Sequence, residues 1–182
     1  DQAFKTITPT LITAVTDLVG GVSTGVPKTS IGITGDYAIN TTHVTNKIYK
    51  KTEANAWVQV GSSAWHLSLP IISVASGTTV TNSHNMKING ITVQTGGTAL
   101  SNVNTALNAA NIPGVSSSIN TTTGNLDIFH DGGEFGDSTN REIVDFEEGT
   151  GLLAGLGITA GNYRAPKFLQ DKHTNRPTWK TA

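Results

Sequence analysis

Cysteine is absent from the 182-residue chain, which excludes a disulfide framework, a thiolate metal centre and a cysteine nucleophile. Charge is scarce as well. Only 14% of residues are charged, against roughly 25% in ordinary soluble domains. Twelve basic residues nearly cancel thirteen acidic ones, for a net charge of -1, which argues against a whole-chain electrostatic partnership with nucleic acid. Long apolar runs are missing: Leu67 to Ala75, the longest weakly polar stretch, is far short of the roughly 20 residues a membrane span needs. Neither membrane insertion nor a signal peptide is expected. The chain opens Asp1-Gln2 without an initiator Met and closes Thr181-Ala182, which reads as a segment cut from a longer polypeptide.

What is present is neutral polarity. The chain holds 28 threonines, 13 serines, 15 asparagines and 20 glycines, over two fifths of its length. Thr is β-branched and favours strands, while Gly and Asn supply the positive φ of tight turns. The expectation is a β-dominated α+β chain: a β-meander module, then a β-β-α-β-β-β-α module, then an extended C-terminal arm. The boundaries fall at residues 1–70, 71–161 and 162–182.

Leu11, Val15 and Leu18 recur at helical spacing over residues 8–20, with Thr8 as N-cap, Pro9 at the first helical position and Gly20-Gly21 as a stop. This predicts a short helix, in competition with a strand because four of the residues are Thr. Gly20 to Gly35 reads as a loop. Three strands follow over 36–41, 46–51 and 57–60, with Trp57 and Trp65 packing against the early helix or a neighbouring chain. Leu67 to Ser76, containing Pro70, reads as a connector.

The signals strengthen after residue 75. Asn89-Gly90 between Met86-Lys87-Ile88 and Ile91-Thr92-Val93 is the pattern of a type I′ hairpin. Leu100, Val103, Leu107 and Ala110 mark an amphipathic helix that Pro113-Gly114 must end. Residues 115–120 and 126–130 flank Thr123-Gly124-Asn125 as a second hairpin, 143–146 is a further strand, and 149–158 is one or two helical turns. Ile88, Ile91, Val93, Leu100, Val103, Leu107, Ile119, Leu126, Ile128, Ile143, Phe146, Leu153 and Leu156 are expected to share one core.

No catalytic constellation emerges. His43, His66, His84, His130 and His173 stand singly, without metal-ligand pairing, and Ser116-Ser117-Ser118 lacks a nucleophile elbow. Asp131, Glu134, Asp137 and Glu142 are too widely spaced for a calcium loop, so they read as a solvated turn. The expectation is no catalytic residue, no cofactor and no metal.

Two stretches resemble known families. Ile88-Asn89-Gly90, the helix after it, the Thr-Gly-Asn-Leu hairpin with Leu126-Asp127-Ile128, and Gly149-Thr-Gly-Leu-Leu-Ala-Gly-Leu-Gly-Ile158 resemble the flagellin hook IN motif region. That region also occurs in tailed-phage virion proteins, and the resemblance spans roughly residues 75–161. Gly35-Asp36-Tyr37-Ala38-Ile39, Asn46-Lys47-Ile48-Tyr49-Lys50-Lys51 and Trp57-Val58-Gln59-Val60-Gly61-Ser62 with Trp65 look like meanders of phage tail-fibre and baseplate-type proteins. The resemblance implies a non-enzymatic structural component of a bacteriophage virion, in the tail, baseplate or fibre apparatus, assembled in the bacterial host cytoplasm. Its partners would be other virion subunits and copies of itself, with a host-surface receptor as a further candidate. A flagellar hook or cap component and a carbohydrate-binding adhesin module are the alternatives. The C-terminal arm is net basic and cannot build a core of its own, so Phe168, Trp179, Arg164 and Arg176 are the candidate assembly contacts.

Overall fold

The computed structural model describes residues 4–5, 8–22, 25–42, 46–133, 139–165, 168–170 and 177–180, as backbone alone at 4–5, 168–170 and 177–180. The chain forms two units, Asp1–Ser68 with Lys167–Ala182, and Leu69–Pro166. In order, the first holds β1 (Phe4–Lys5), β2 (Thr10–Ile12), β3 (Tyr37–Asn40), β4 (Lys47–Lys51), β5 (Trp57–Gln59) and the single-turn α1 (Ser63–His66). The second holds β6 (Ile72–Val74), β7 (Asn85–Ile88), β8 (Ile91–Gln94), α2 (Leu100–Ala109), β9 (Val115–Ile119), β10 (Leu126–His130), β11 (Ile143–Glu148), α3 (Leu152–Gly155) and β12 (Gly161–Arg164). The chain then returns to the first unit with β13 (Phe168–Gln170) and β14 (Pro177–Lys180). The fold is a β-rich α+β fold with mostly antiparallel sheets.

In the first unit four strands pair in the order β2-β3-β4-β5, with β2 parallel to β3 and the rest antiparallel. The helix expected over 8–20 is a correction: Thr10–Ile12 is a strand, and two short 3₁₀ turns follow at Val15–Asp17 and Val19–Gly21. Helical spacing failed because Leu11 and Val15 are exposed, while Ile12, outside that stripe, is buried with Leu18. The β-branched Thr at 8, 10, 13 and 16 favours the extended alternative.

Because β2 and β3 run parallel, the chain must cross over between them. Residues 13–36 make that crossover without an α-helix among the described residues. Leu18 and Ile31 pack inward on Ile12, Ala38, Tyr49 and Trp57. An irregular segment has no ladder of its own, so its buried carbonyls need other partners. The sheet supplies them. Asn40 Nδ2 donates to the Gly25 carbonyl at 3.1 Å, and Trp57 Nε1 donates to that of Lys28 at 3.1 Å. Lys51, only 2% exposed, donates from Nζ to the carbonyls of Thr29, Ile31 and Gly32, the last two at 2.7 and 2.9 Å. Its ammonium also lies 5.6 Å from the centre of the Trp57 ring, a cation–π contact.

The second unit packs two sheets, β6-β10-β9 and β12-β11-β7-β8, with α2 and α3 around one core. Asn89 and Gly90 adopt φ of 50° and 77°, the left-handed pair that a two-residue I′ turn requires. Val103 and Leu107 of α2 are buried with Ile88, Val93, Leu126, Ile128 and Phe146. Ile143 is a correction: Val144 and Phe146 point inward. Strand side chains alternate with period two, so Ile143 cannot share a face with Phe146. The connector expected over 67–76 contains β6, which pairs with β10.

The expected arm is extended where it is described, and its strands are paired. Residues 161–164 pair with β11 in the second unit, and β13 and β14 form a sheet with β1 in the order β1-β14-β13. Phe4 registers with Lys180, and Phe168 with Trp179. The described strands of the segment find their hydrogen-bond partners within the chain.

Two stability outcomes follow from this packing. Leu107→Ala should cost about 2–5 kcal/mol in denaturant unfolding of the second unit, the range for a buried Leu whose site collapses incompletely; a change under about 1 kcal/mol would remove Leu107 from the core. Lys51→Met leaves three crossover carbonyls without their cationic donor and should cost on the order of 3 kcal/mol, read from the near-ultraviolet circular dichroism of Trp57 during urea unfolding.

Candidate functional site

The crossover exposes several large apolar side chains. Val15, Val19, Val22, Val26 and Ile33 are exposed there, Ile33 at 75%. The segment is held in place from within: Leu18 bridges Pro27, Val19 N–H donates to the Val26 carbonyl at 2.8 Å, and Lys28 N–H to that of Asp17 at 2.9 Å. Val19 and Val26 are therefore neighbours on a fixed double strand of chain. Gly25 sits tightly against Val22, where a Cβ would meet the Val19 and Val22 carbonyls. The only other exposed large apolar side chains among the described residues are Leu11 and Leu67, and the second unit exposes none. A cluster of this kind is the usual mark of an interaction surface, whereas single exposed apolar side chains are ordinary.

Open strand edges are the second assembly feature, and they are unequal. At β9 the Asn108 side chain of α2 acts as a substitute strand: its Nδ2 donates to the Ser117 carbonyl and its Oδ1 accepts the Ser117 N–H, both at 3.0 Å. Such cover prevents edge-to-edge pairing. The outer edges of β2 and β8 pair with no strand among the described residues.

Arg164, at the end of β12, is exposed and opposite Ile143. Phe168 and Trp179 face each other in register on β13 and β14, and Arg176 lies outside the described residues. The structure thus does not gather the four candidate contacts into one described site. Sequence reasoning missed the crossover valines, whose signal was the Val-rich stretch from 15 to 26, with Asp17 its one charge. Trp57 and Trp65 are 6% and 2% exposed, so neither offers a stacking face for a sugar. The Trp65 ring meets that of His66 edge-on, with centroids 4.9 Å apart, and Ser62 caps α1 by accepting the Trp65 N–H. Burial raises the pKa of the Tyr37 hydroxyl, against an opposing effect of Trp65 beside it.

Three polar clusters belong to the second unit. Asp127 is buried; its carboxylate accepts Ser73 Oγ at 2.5 Å and Asn120 Nδ2 at 3.1 Å, while Asn120 Oδ1 accepts the N–H groups of Thr122 and Thr123. This fixes the turn between β9 and β10. His130 is buried, with Nδ1 accepting the Gly132 N–H at 3.2 Å and Nε2 3.2 Å from Asn140 Oδ1. Those partners assign its proton to Nε2. Asn140 Nδ2 in turn donates to both oxygens of Asp131, and Gly114 is pressed so closely against Asn140 and Asp131 that a Cβ would not fit. Glu134 and Asp137 lie outside the described residues. Among the described residues no three His, Cys, Asp or Glu side chains gather as metal ligands do, and no helix is long and apolar enough to cross a membrane.

Glu148, at the end of β11, accepts the N–H groups of Gly149, Gly151 and Leu153 on Oε1 and that of Ala154 on Oε2, the last at 2.7 Å. It anchors the start of α3 in the place of an N-cap residue.

No protein-family model, no curated protein and no solved structure matches this chain.

Two groups give the fold a defined acid response. Burial pushes the Glu148 carboxyl up, but the backbone N–H groups of Ala154, Gly149, Leu153 and Gly151 outweigh it and hold the pKa below the ordinary value. Burial pushes His130 down, against the opposing pull of Asp131 and Asn140. Both groups have depressed folded pKa values, so the stability each contributes is present above its unfolded value and lost as pH falls through the folded one. His130 should weaken the fold from about pH 6.5 downward and Glu148 from about pH 4.5. Urea midpoints measured against pH should show both steps, with Glu148→Gln removing only the lower and His130→Gln only the upper.

Proposed function

We propose that the chain is a structural component of a bacteriophage virion, in the tail, baseplate or fibre apparatus, which works through contacts between subunits rather than through catalysis. The observation that carries this reading is the exposure of Val19, Val22, Val26 and Ile33 on a crossover tied down by Asn40, Lys51 and Trp57. Apolar side chains on a segment tied down from within suit a permanent contact, because little order is lost on docking. The resemblance of residues 35–65 to tail-fibre and baseplate meanders, and of residues 75–161 to the flagellin hook IN motif region, supports the same reading. The sparse charge supports it too, since many modest neutral contacts add through multivalency in a repeated assembly.

The adhesin alternative loses its sugar platform with the burial of Trp57 and Trp65. The test is direct. Mass spectrometry of purified particles of a phage encoding this sequence should find its peptides in fixed proportion to other tail proteins, retained through density-gradient purification. Peptides found only in the lysate of infected cells would reject a virion role.

A further inference from the structure

We propose that His130 is an acid-released latch: protonation of its ring frees Gly132, Gly133 and Asn140, on the two sides of the β10–β11 connection, while the core of the second unit stays folded. The hydrogen bonds at the ring run in one direction. The Gly132 N–H can only donate, so Nδ1, 3.2 Å away, must present its lone pair. The Asp131 carboxylate accepts, so Asn140 turns Nδ2 to its two oxygens at 3.1 and 2.9 Å. That leaves Asn140 Oδ1 to accept the N–H of Nε2 at 3.2 Å. Asp131 Oδ1 also takes the Gly133 N–H at 2.9 Å. A single neutral tautomer thus joins both sides of the connection.

The imidazolium carries N–H on both nitrogens, so Nδ1–H would confront the Gly132 N–H, donor against donor. The ring is 1% exposed, so the new donor reaches water only if its neighbours move. Asp131 is the charge that acts on the ring. Its Oδ1 lies 3.9 Å from Nε2, but that oxygen already serves Gly133 and Asn140, and the conflict is at Nδ1. The elements packed against β10, namely β9, β6 and α2, contain no charged or titratable residue. Asp127 of β10 is on the opposite strand face, an odd number of residues away. Beyond Asn140, Arg141 is exposed and Glu142 half-buried.

The opening is local because other bonds hold the strand. Leu126 to Phe129 are laddered to β9 and Leu126 to Ile128 to β6, Leu126 and Ile128 sit in the apolar core, and the Asp131 N–H is fixed on the Gly114 carbonyl at 2.9 Å. None of these passes through the imidazole. Just beyond Asp131 come Gly132 and Gly133, at φ of 99° and 58°, where the backbone is free to swing once its bond is lost. Burial holds the ring's pKa below the ordinary value, against Asp131 and Asn140, so release falls in mildly acid solution, under about pH 6.5.

The experiment is nuclear magnetic resonance relaxation on the full chain between pH 7.5 and 5.0, with the His130 Cε1 proton followed in the same samples. Backbone order parameters of Gly132 and Gly133 should fall from about 0.85 to below about 0.6, with the midpoint of the His130 titration, while Leu126 and Ile128 stay unchanged. In His130→Gln, which gains no charge in acid, Gly132 and Gly133 should have the same order at both ends of the range. Unchanged order at Gly132 and Gly133 in the natural chain, or loss in step with Ile128, overturns the proposal, as does the same transition in His130→Gln. Should that variant not fold, the two midpoints in the natural chain decide: agreement supports the latch and separation by more than about one pH unit rejects it.

Discussion

A β-sheet face covered by irregular chain is held by whatever satisfies that chain's carbonyls. In the first unit this falls chiefly to one ammonium group. Lys51 sits where three carbonyls converge and stacks over Trp57, whose own indole N–H reaches a fourth. A buried cation is unfavourable when its hydrogen-bonding capacity is unmet. Here its three N–H donors match three acceptors, so the lysine and the loop solve one another's problem. The path of residues 13–36 follows, and with it the exposure of the valines on its far side. An apolar outer surface is thus compatible with an ordered segment because the order comes from polar bonds beneath it.

The second unit obeys a different logic. Its core is apolar and continuous across two sheets and two helices, and polar groups serve at the margins: Asn108 covers an edge, Glu148 starts a helix, Asn120 shapes a turn. Each of these side chains stands in for a missing stretch of backbone. A chain rich in Asn and Ser and poor in charge can do this often, because an amide presents a donor and an acceptor together, as a peptide group does.

These two logics explain what was legible in the sequence. The hairpin at Asn89-Gly90 and the helix from Leu100 were readable because turn chemistry and apolar period are local. The β-rich class followed from composition. The helix over 8–20 misled because Leu11, Val15 and Leu18 matched a period while Ile12, one residue off it, faced the core. Ile143 misled through a parity error, since an odd and an even position cannot share a strand face. The roles of Lys51 and Asn108 were invisible, because their partners lie 19 to 22 residues away for the lysine and 9 for the asparagine and no pattern in the intervening residues announces them. The pairing of β1 with β14 was hidden for the same reason on a larger scale.

That last pairing bears on how the molecule is made. The second unit is one uninterrupted stretch, Leu69–Pro166, set within a first unit built from both ends of the sequence. During synthesis the inner stretch has every residue it needs before the last strands leave the ribosome, and domains fold as units in that order. Phe4, by contrast, waits for Lys180. Closing so long a loop costs little more than closing one half as long if the intervening chain is floppy, and here that chain is already folded. The β1-β14-β13 sheet therefore forms after the second unit, and until it does, its strands have unpaired edges available to any neighbouring nascent chain.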